Sequence, residues 1–388
     1  MELGDVAVSD FMDSPTQHVE RSSLDLMLCR SCGLVQLAEA VSRESIYGKH
    51  YHYRSGLQES MVEALHDVVR GVLKGGFRTE PRDVWMDIGA NDGTLLKFVP
   101  NDFTKIAYEP ATNFWPELAG IAGVAGRYWP AKADLGVKAR VITSIACFYS
   151  ATNPDQFVDA IKRNLAYGGV WVNQMSYLPH TMATNNFGDI CHEHLTYWTA
   201  RAFQNLLARH DLKITGTQFN DVNGGSFRTY VTHGADRPWV QDEVTLLQLR
   251  RFGQRVRLGS SEIRSLLHTL KRDGKSVMGY GASTKGNTYL QVWGITPDLL
   301  EFIADRNPDK HGKFTPTGQQ IVSEDVMRCA NPDYLLMLPW HFRDSFIKRE
   351  QEWLDQGGTW IIPLPALQLV TSSHGGIHEA AVTSAVGD

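Results

Sequence analysis

The chain has 388 residues, enough for two or three domains and a sizeable core. Apolar residues make up 43%, charged residues 21%, and the formal charge is −5, a balance that argues against both a disordered chain and a broadly basic nucleic-acid surface. Five cysteines, sparse and odd in number, and no apolar run of about 18 residues point to a reducing, cytoplasmic location and no membrane span.

Residues 1–50 read as a small ribbon. LMLCRSCGLVQL (26–37) holds one C-x-x-C, Cys29 and Cys32, which is half the thiolate set of a structural zinc site. A redox couple is the weaker alternative, because the flanks are wrong for a strand–helix redox motif, and two half-buried thiols in a small ribbon are the plain one. No second knuckle follows, and the spacing of His18 does not recommend it as a ligand. YGKHYHYRSG (47–56) is too aromatic for a plain linker and either lines a pocket or packs a domain joint. Residues 57–76 predict a helix.

VWMDIGANDGTLL (84–96) reads as a strand, a glycine turn and the start of a helix. Val84, Trp85, Met86 and Ile88 suit a buried parallel strand, with Asp87 near its carboxyl end. Gly89 and Gly93 let the backbone turn tightly and approach a ligand. Glu109 closes the next apolar run, where an acid can hold a ribose through its hydroxyls. The spacing is not G-x-G-x-x-G, and no Lys-Ser/Thr follows as in a P-loop, which leaves a nucleoside without a polyphosphate.

Loop and short helix are expected over 111–135, a strand over 139–146, and a helix over 155–165 that stops at Gly168-Gly169. Another strand spans 169–175. A long polar insert (176–198) then precedes a helix near Ala200; loops beyond a strand's carboxyl end are where α/β enzymes keep their chemistry. Two strands fill 210–234 around the hairpin signal Asn223-Gly224. Residues 238–273 read as helix, with Leu246, Leu247, Leu249, Val256 and Leu258 as the apolar stripe. From Lys275 the strand–glycine turn–helix pattern recurs, with strands over 276–280, 299–305 and 333–342 and one or two over 359–370. The last dozen residues, from Ser372, are expected to fray. Two doubly wound α/β units in tandem follow from this repetition.

CHEHLTYW (191–198) is the sharpest polar cluster. His192 and His194 are two apart, which misses H-E-x-x-H, so general acid–base work fits better than a catalytic zinc. Glu193 is a candidate orienting carboxylate, and Tyr149, Tyr177, Tyr197 and Tyr53 are candidate phenols for the same pocket. A purely structural role inside a long loop is the competing account. In the second unit GYGASTKGN offers main-chain N–H groups, Ser283 and Lys285 around a turn, with Arg306 and Asn307 at the next strand end; the set suits a phosphate, or a degenerate repeat that only packs.

Together these motifs resemble the bacterial C-methyltransferases that act on nucleotide-linked deoxysugars. CRSCGLVQL, YHYRSG, MDIGANDGTLL, YEPATN, DICHEHLTYW, NDVNGGSFR, GYGASTKGNT and ADRNPDKHGK fall in that family's order across nearly the whole chain. The resemblance implies an α/β fold: a zinc-ribbon-like domain shortened to 1–50, a central seven-stranded-type Rossmann-like methyltransferase domain (51–235), a helical linker (236–274) and a C-terminal Rossmann-like domain (275–388) for the nucleotide sugar. It implies S-adenosylmethionine as cofactor, held by Asp87, Gly89, Asp92, Gly93 and Glu109 with Asn91 and Pro110 beside them. It implies methylation at C3 of a 4-keto-6-deoxyhexose through an enolate, with His194 as base, Glu193 as its partner, and His192, Tyr149, Tyr177 and Tyr53 nearby. Cys191, Tyr197, Asn223, Arg228, Ser283, Lys285, Arg306 and Asn307 then face the substrate, and Cys29 and Cys32 the structural zinc.

Three departures from the family stand out. Only one C-x-x-C is present, as if the chain started late, which puts zinc in doubt. Cys191 stands where a tyrosine is usual, and Tyr149 where a histidine is usual. A different sugar, another methylated carbon, or O-methylation of a sugar or small polar metabolite would account for the last two. A non-catalytic nucleotide-sugar-binding module is the rival of a different class. The small-molecule substrate leaves no role for nucleic acid or membrane.

Overall fold

The computed structural model describes residues 1–8, 11–42, 46, 51, 53–130, 136–235, 241–373 and 376–381. Much of the aromatic YGKHYHYRSG stretch (47–50 and His52) and the expected joint at 236–240 therefore lie outside the described residues.

The expected ribbon consists of two antiparallel pairs. β1 (Asp5–Ala7) pairs with β2 (Arg21–Ser23), and β3 (Leu26–Leu28) with β4 (Val35–Leu37), the C-x-x-C sitting in the turn of the second pair. α1 (Glu59–Lys74) buries Met61, Leu65, Val68, Val69 and Val72 along one stripe, the period that docks a helix on a sheet.

The first unit begins at β5 (Val84–Ile88), whose last four residues are buried, and passes through the glycine turn into α2 (Thr94–Phe98). β6 (Thr104–Tyr108) follows, and then α3 (Trp115–Ala119) and β7 (Gly123–Ala125). β7 was expected as loop; three residues are too few to show an alternating pattern. β8 (Ala139–Ile145), α4 (Pro154–Asn164) and β9 (Leu165–Ser176) complete the parallel part. The helix gives way to strand at Leu165, so Gly168 and Gly169 lie within β9 and do not stop the helix.

The polar insert contains α5 (Leu178–Ala183) and β10 (Thr196–Tyr197), followed by α6 (Ala200–Arg209) and the hairpin β11 (Leu212–Asn220) and β12 (Ser226–His233). Asn223 and Gly224 both take positive φ at the hairpin tip, as their pairing predicts. The sheet order is β11-β12-β9-β8-β5-β6-β7, with β11 and β12 antiparallel at one edge. β10 pairs with β4, Thr196 opposite Gln36, so the strand that follows the HEH triplet completes the N-terminal ribbon.

α7 (Leu246–Arg272) opens on a capping box between Thr245 and Gln248. Its expected stripe is corrected: Leu246, Leu247 and Leu258 are exposed, and Leu249, Phe252, Val256, Ile263, Leu267 and Leu270 are buried. Leu249 to Phe252 to Val256 to Ile263 to Leu267 keeps steps of three, four and seven, which Leu247 and Leu258 break, while Leu246 keeps the step but lies at the exposed first position of the helix.

The second unit runs β13 (Val277–Tyr280), α8 (Thr284–Trp293), β14 (Phe302–Asp305), β15 (Gln320–Ser323), α9 (Glu324–Ala330), β16 (Tyr334–Met337), α10 (Arg343–Arg349), α11 (Gln351–Asp355), β17 (Thr359–Ile362), β18 (Gln368–Ser373) and β19 (Gly376–Ala381). Its order is β15-β14-β13-β16-β17-β18-β19, with the last two strands antiparallel. The expected fraying from Ser372 is corrected for the described residues, where Ser372 pairs with Ile377, while 374–375 and 382–388 lie outside them.

The two units share a core. Leu24, Val35 and Leu37 of the ribbon, Leu178 and Ile190 of the insert, Leu249 of α7 and Tyr289 and Trp293 of α8 belong to one cluster. Gly188 lies so close to the Tyr289 ring that a Cβ there would approach it to 2.5 Å. The Tyr289 hydroxyl donates to Asn186 Oδ1 at 2.6 Å. The insert is thereby seated on the first helix of the second unit.

Candidate active site

The glycine turn after β5 is held open by acids from two directions. Glu109 accepts the Asn91 N–H at 2.7 Å on one carboxylate oxygen and the Ala111 N–H at 2.8 Å on the other. Gly89 (φ 73°) and Gly93 (φ 75°) take left-handed conformations that side chains disfavour, and Asn91 (φ 52°) joins them. Asp92 accepts from Thr94 N–H and Oγ1 and from the Gly56 N–H, so it caps α2 and ties down the 53–56 segment. Asp87 is buried beneath the turn and accepts from the Thr143 hydroxyl at 2.6 Å. Burial pushes its carboxyl up to about 7, with the Glu109 charge adding to the effect and the Thr143 bond opposing it.

Beyond this turn lies a cavity of about 280 Å³. Gly89, Asn91, Glu109 and Pro110 line one end; Tyr149, Cys191, Glu193 and His194 line the middle; Asn223, Ser283, Thr284, Lys285 and His341 close the other. Sheet topology brings these together: the first group sits beyond the carboxyl ends of β5 and β6, the insert follows β9, and the second unit contributes the turn after β13.

His194 Nδ1 lies 2.7 Å from the Asp189 main-chain oxygen. A carbonyl only accepts, so Nδ1 carries the proton and Nε2 is left with its lone pair. Nε2 has no partner among the described residues. Burial lowers the imidazole to about 4; the nearby Lys285 cation acts in the same direction and Asp189 opposes it. The ring is neutral at pH 7 and rests against Tyr149, centroids 3.9 Å apart. Glu193 turns its carboxylate to the Tyr51 hydroxyl (3.1 Å) and to Thr284 Oγ1 (3.5 Å), so orientation of His194 falls to the Asp189 main chain.

A second cavity, about 340 Å³, opens beside the first along the 281–284 turn. Arg54, Arg306, Asn307, Lys310 and Arg349 line it, and Tyr51, Tyr53, Glu193, Ser283 and Thr284 border both cavities. Lys285 is absent from this second cavity. Its ammonium lies 2.5 Å from the buried Asp189 carboxylate and also donates to the Asn223 main-chain oxygen.

Several expected site residues point elsewhere. His192 lies 3.1 Å from the Ser22 main-chain oxygen and serves the ribbon. Tyr177 donates to Asp242, which caps α6 through the Ala200 and Arg201 N–H groups. Arg228 is buried on the sheet, donating to Gln174 and paired with Asp67 at 2.9 Å. Tyr197 is buried in the shared core and does not line either cavity. Asp87, Asp92 and Gly93 shape the turn from behind without lining the cavity.

Residues 53–216 match the family described as "Methyltransferase domain", and residues 221–365 match "C-methyltransferase C-terminal domain". C-methyltransferase NovU of Streptomyces niveus is 27% identical over 375 residues, spanning 90% of this chain and 88% of that protein. The chain belongs to the S-adenosylmethionine-dependent C-methyltransferases. Among solved structures, an S-adenosylmethionine-dependent methyltransferase from Clostridium acetobutylicum ATCC 824 aligns with a TM-score of 0.37 and 10% identity over 45% of this chain and 92% of that one. The CurJ carbon methyltransferase aligns with a TM-score of 0.37 and 12% identity over 46% and 56%.

The cofactor's requirements match this methyltransferase's first turn. Glu109 would supply a carboxylate to the ribose, and at Gly89, which lines the cavity, an added Cβ would come within 3.0 Å of Cys147. Ile88, Tyr108, Ala151 and Phe157 provide apolar wall. Toward a structural zinc, Cys29 and Cys32 supply two thiols, and among the described residues no group of three or more His, Cys, Asp or Glu occurs. Sequence reasoning missed Tyr51, Asp189 and His341. Tyr51 is two residues from the expected Tyr53, Asp189 precedes the HEH triplet as an ordinary loop acid, and His341 follows β16 in an aromatic PWHF run that carried no motif.

Proposed function

We propose that this methyltransferase transfers a methyl group to C3 of a nucleotide-linked 4-keto-6-deoxyhexose, with His194 as the base. The carrying observation is the fixed His194 tautomer: Nδ1 is engaged by Asp189, and a neutral Nε2 is left in a cavity that also holds the cofactor turn. A ketone makes its α-hydrogen acidic, and removing it requires a positioned base of low charge. His194 Nε2 takes the C3 proton, the C–H electron pair becomes the enolate, and the enolate carbon is the nucleophile. S-adenosylmethionine supplies an electrophilic methyl group and leaves as S-adenosylhomocysteine.

The second cavity supports the nucleotide assignment. Ser283 and Thr284 stand at the start of α8, and Arg306 gives the cleft a cation for a diphosphate, beside Arg54 and Arg349, which are paired to Glu117 and Glu324. Tyr51, Tyr53 and Glu193 at the shared border support a sugar site between the two chambers. The five cysteines are all free, in keeping with a reducing compartment, and no helix among the described residues is long and apolar enough to cross a membrane. The 51–235 and 275–388 boundaries are part of the same proposal, each unit enclosing one seven-stranded sheet.

The test is release of S-adenosylhomocysteine with a dTDP- or GDP-4-keto-6-deoxyhexose, with the product's new carbon bond read by NMR. A C-methylated sugar is expected. Attachment at oxygen would replace the enolate route with O-methylation, and binding of both ligands without turnover would leave a binding module.

A further inference from the structure

Asp189 sits in the turn Phe187–Asp189 with its side chain fully buried. Its main-chain oxygen takes the His194 ring N–H. Its carboxylate Oδ2 accepts from Thr181 and Asn186, and Oδ1 meets the Lys285 ammonium at 2.5 Å. One residue thus anchors both the imidazole and the cation. Asn186, which helps fix Asp189, is held in turn by Tyr289 of α8, the helix that carries Lys285. The base and the cation are therefore registered against each other by a short rigid loop that spans the two units.

An ammonium has three N–H donors. The Asn223 main-chain oxygen accepts one, the Asp189 carboxylate lies against the ammonium as an ion pair, and no further hydrogen-bond acceptor for it occurs among the described residues. Lys285 nonetheless lines the same cavity as His194. Enolisation needs two groups at once, a base at the α-carbon and a donor at the carbonyl oxygen where charge develops.

Building on the enolate reading above, we propose that Lys285 is the catalytic donor that binds the substrate's ketone oxygen through an N–H not taken by Asn223, and that Asp189 is the positioning residue that sets its distance from His194. The C–H bond breaks with its proton on His194 Nε2. Its electron pair forms the C–C double bond of the enolate, and the carbonyl pair moves to oxygen, where the Lys285 N–H meets the new charge without giving up its proton. No external oxidant or reductant is involved. The arrangement also explains why the lysine of the GYGASTKGN turn is withdrawn from the cleft that would hold phosphate.

The experiment follows exchange of the substrate's α-hydrogen in D₂O by NMR, with S-adenosylhomocysteine bound and no methyl donor. Wild-type protein should exchange. Lys285→Met should exchange about 100-fold more slowly at saturating substrate, while its affinity for S-adenosylhomocysteine stays within about twofold of wild type. Because the Lys285 cation lowers the His194 imidazole, its removal should also move the acid limb of the exchange rate to higher pH. A variant that exchanges normally at saturation and only binds substrate more weakly would make Lys285 an anchor and overturn the assignment, as would an unmoved acid limb. If Lys285→Met fails to fold, Lys285→Arg decides. Its charge is kept and its N–H groups are displaced, so exchange should fall at least about tenfold with the limb in place, and an unchanged rate would overturn the proposal. No exchange by wild type would remove the enolate reading and the proposal together, whereas failure confined to the variants removes the proposal alone.

Discussion

In the first unit the acid at the end of the second strand, Glu109, spends both carboxylate oxygens on main-chain N–H groups. In the second unit the corresponding acid, Asp305, accepts the Asn307 N–H at 2.8 Å and lies 3.5 Å from the Lys310 ammonium. The turns differ in the same sense. GANDG carries an acid and an amide, and GAST carries two hydroxyls beside a cleft lined by Arg54, Arg306 and Arg349. One backbone geometry, strand to glycine turn to helix, carries different side chains in the two units, and in the cleft beside the second Arg54 and Arg349 are paired to Glu117 and Glu324. On the function proposed above, the first would meet a ligand with a cationic sulfonium and the second a ligand with anionic phosphates. The proposed reacting groups, His194 and Lys285, come one from each side of the joint.

That division can be broken most sharply at the joint. His194→Ala should lower turnover by about 10²- to 10⁴-fold while calorimetry finds binding of S-adenosylhomocysteine and of the nucleotide intact, because neither turn is touched. Next in size, Glu109→Ala removes a charged acceptor from two N–H groups at about 1.5–3 kcal/mol each. S-adenosylhomocysteine should bind at least tenfold more weakly with nucleotide affinity unaltered. Arg306→Ala should do the converse on a smaller scale, weakening nucleotide binding by up to about tenfold, since Arg306 is exposed and its charge is screened. Cross-effects of equal size would mean that the two ligands do not divide between the units.

The pH profile sharpens the same comparison. With its imidazole at about 4, His194 stays a base down to that pH, and turnover should fall only as pH drops through it. An acid limb near 6.5 would describe a solvent-exposed ring instead. The stability consequence has a definite sign. The unfolded chain's histidine binds its proton near pH 6.5 and the folded one near 4, so the folded state loses stability as pH falls across that window and keeps the full contribution above it. Urea melts at pH 7 and pH 5 should therefore differ, and His194→Ala should narrow the difference.

The parts legible in the sequence are those with a local rule. The buried strand Val84–Ile88, the turn at Gly89 and Gly93, and the hairpin at Asn223-Gly224 each follow from a few neighbouring residues. β7 and β15 are too short to carry a period, and the stripe of α7 was misread because exposed leucines mimic buried ones. The site was harder, because side-chain direction in an irregular loop is set by distant partners. His192 and His194 look equivalent in CHEHL, yet one meets Ser22 and the other Asp189. Lys285 reads as a phosphate ligand until Asp189, nearly a hundred residues earlier, is seen beside it.

The smallest effect belongs to Tyr177, which the sequence places beside the chemistry and the fold directs elsewhere. Its hydroxyl donates to Asp242 at 2.9 Å, and its ring packs against Phe219 and Phe227. Tyr177→Phe keeps the ring and removes one hydrogen bond, while Asp242 retains the Ala200 and Arg201 N–H groups. The expected cost is about 1 kcal/mol of stability, read as a lower urea midpoint, with kcat within about twofold of wild type. A kcat loss above about tenfold at unchanged stability would put the phenol in the cavity. It would then give the first unit a second acid–base group, and the division in which that unit supplies only His194 would fail.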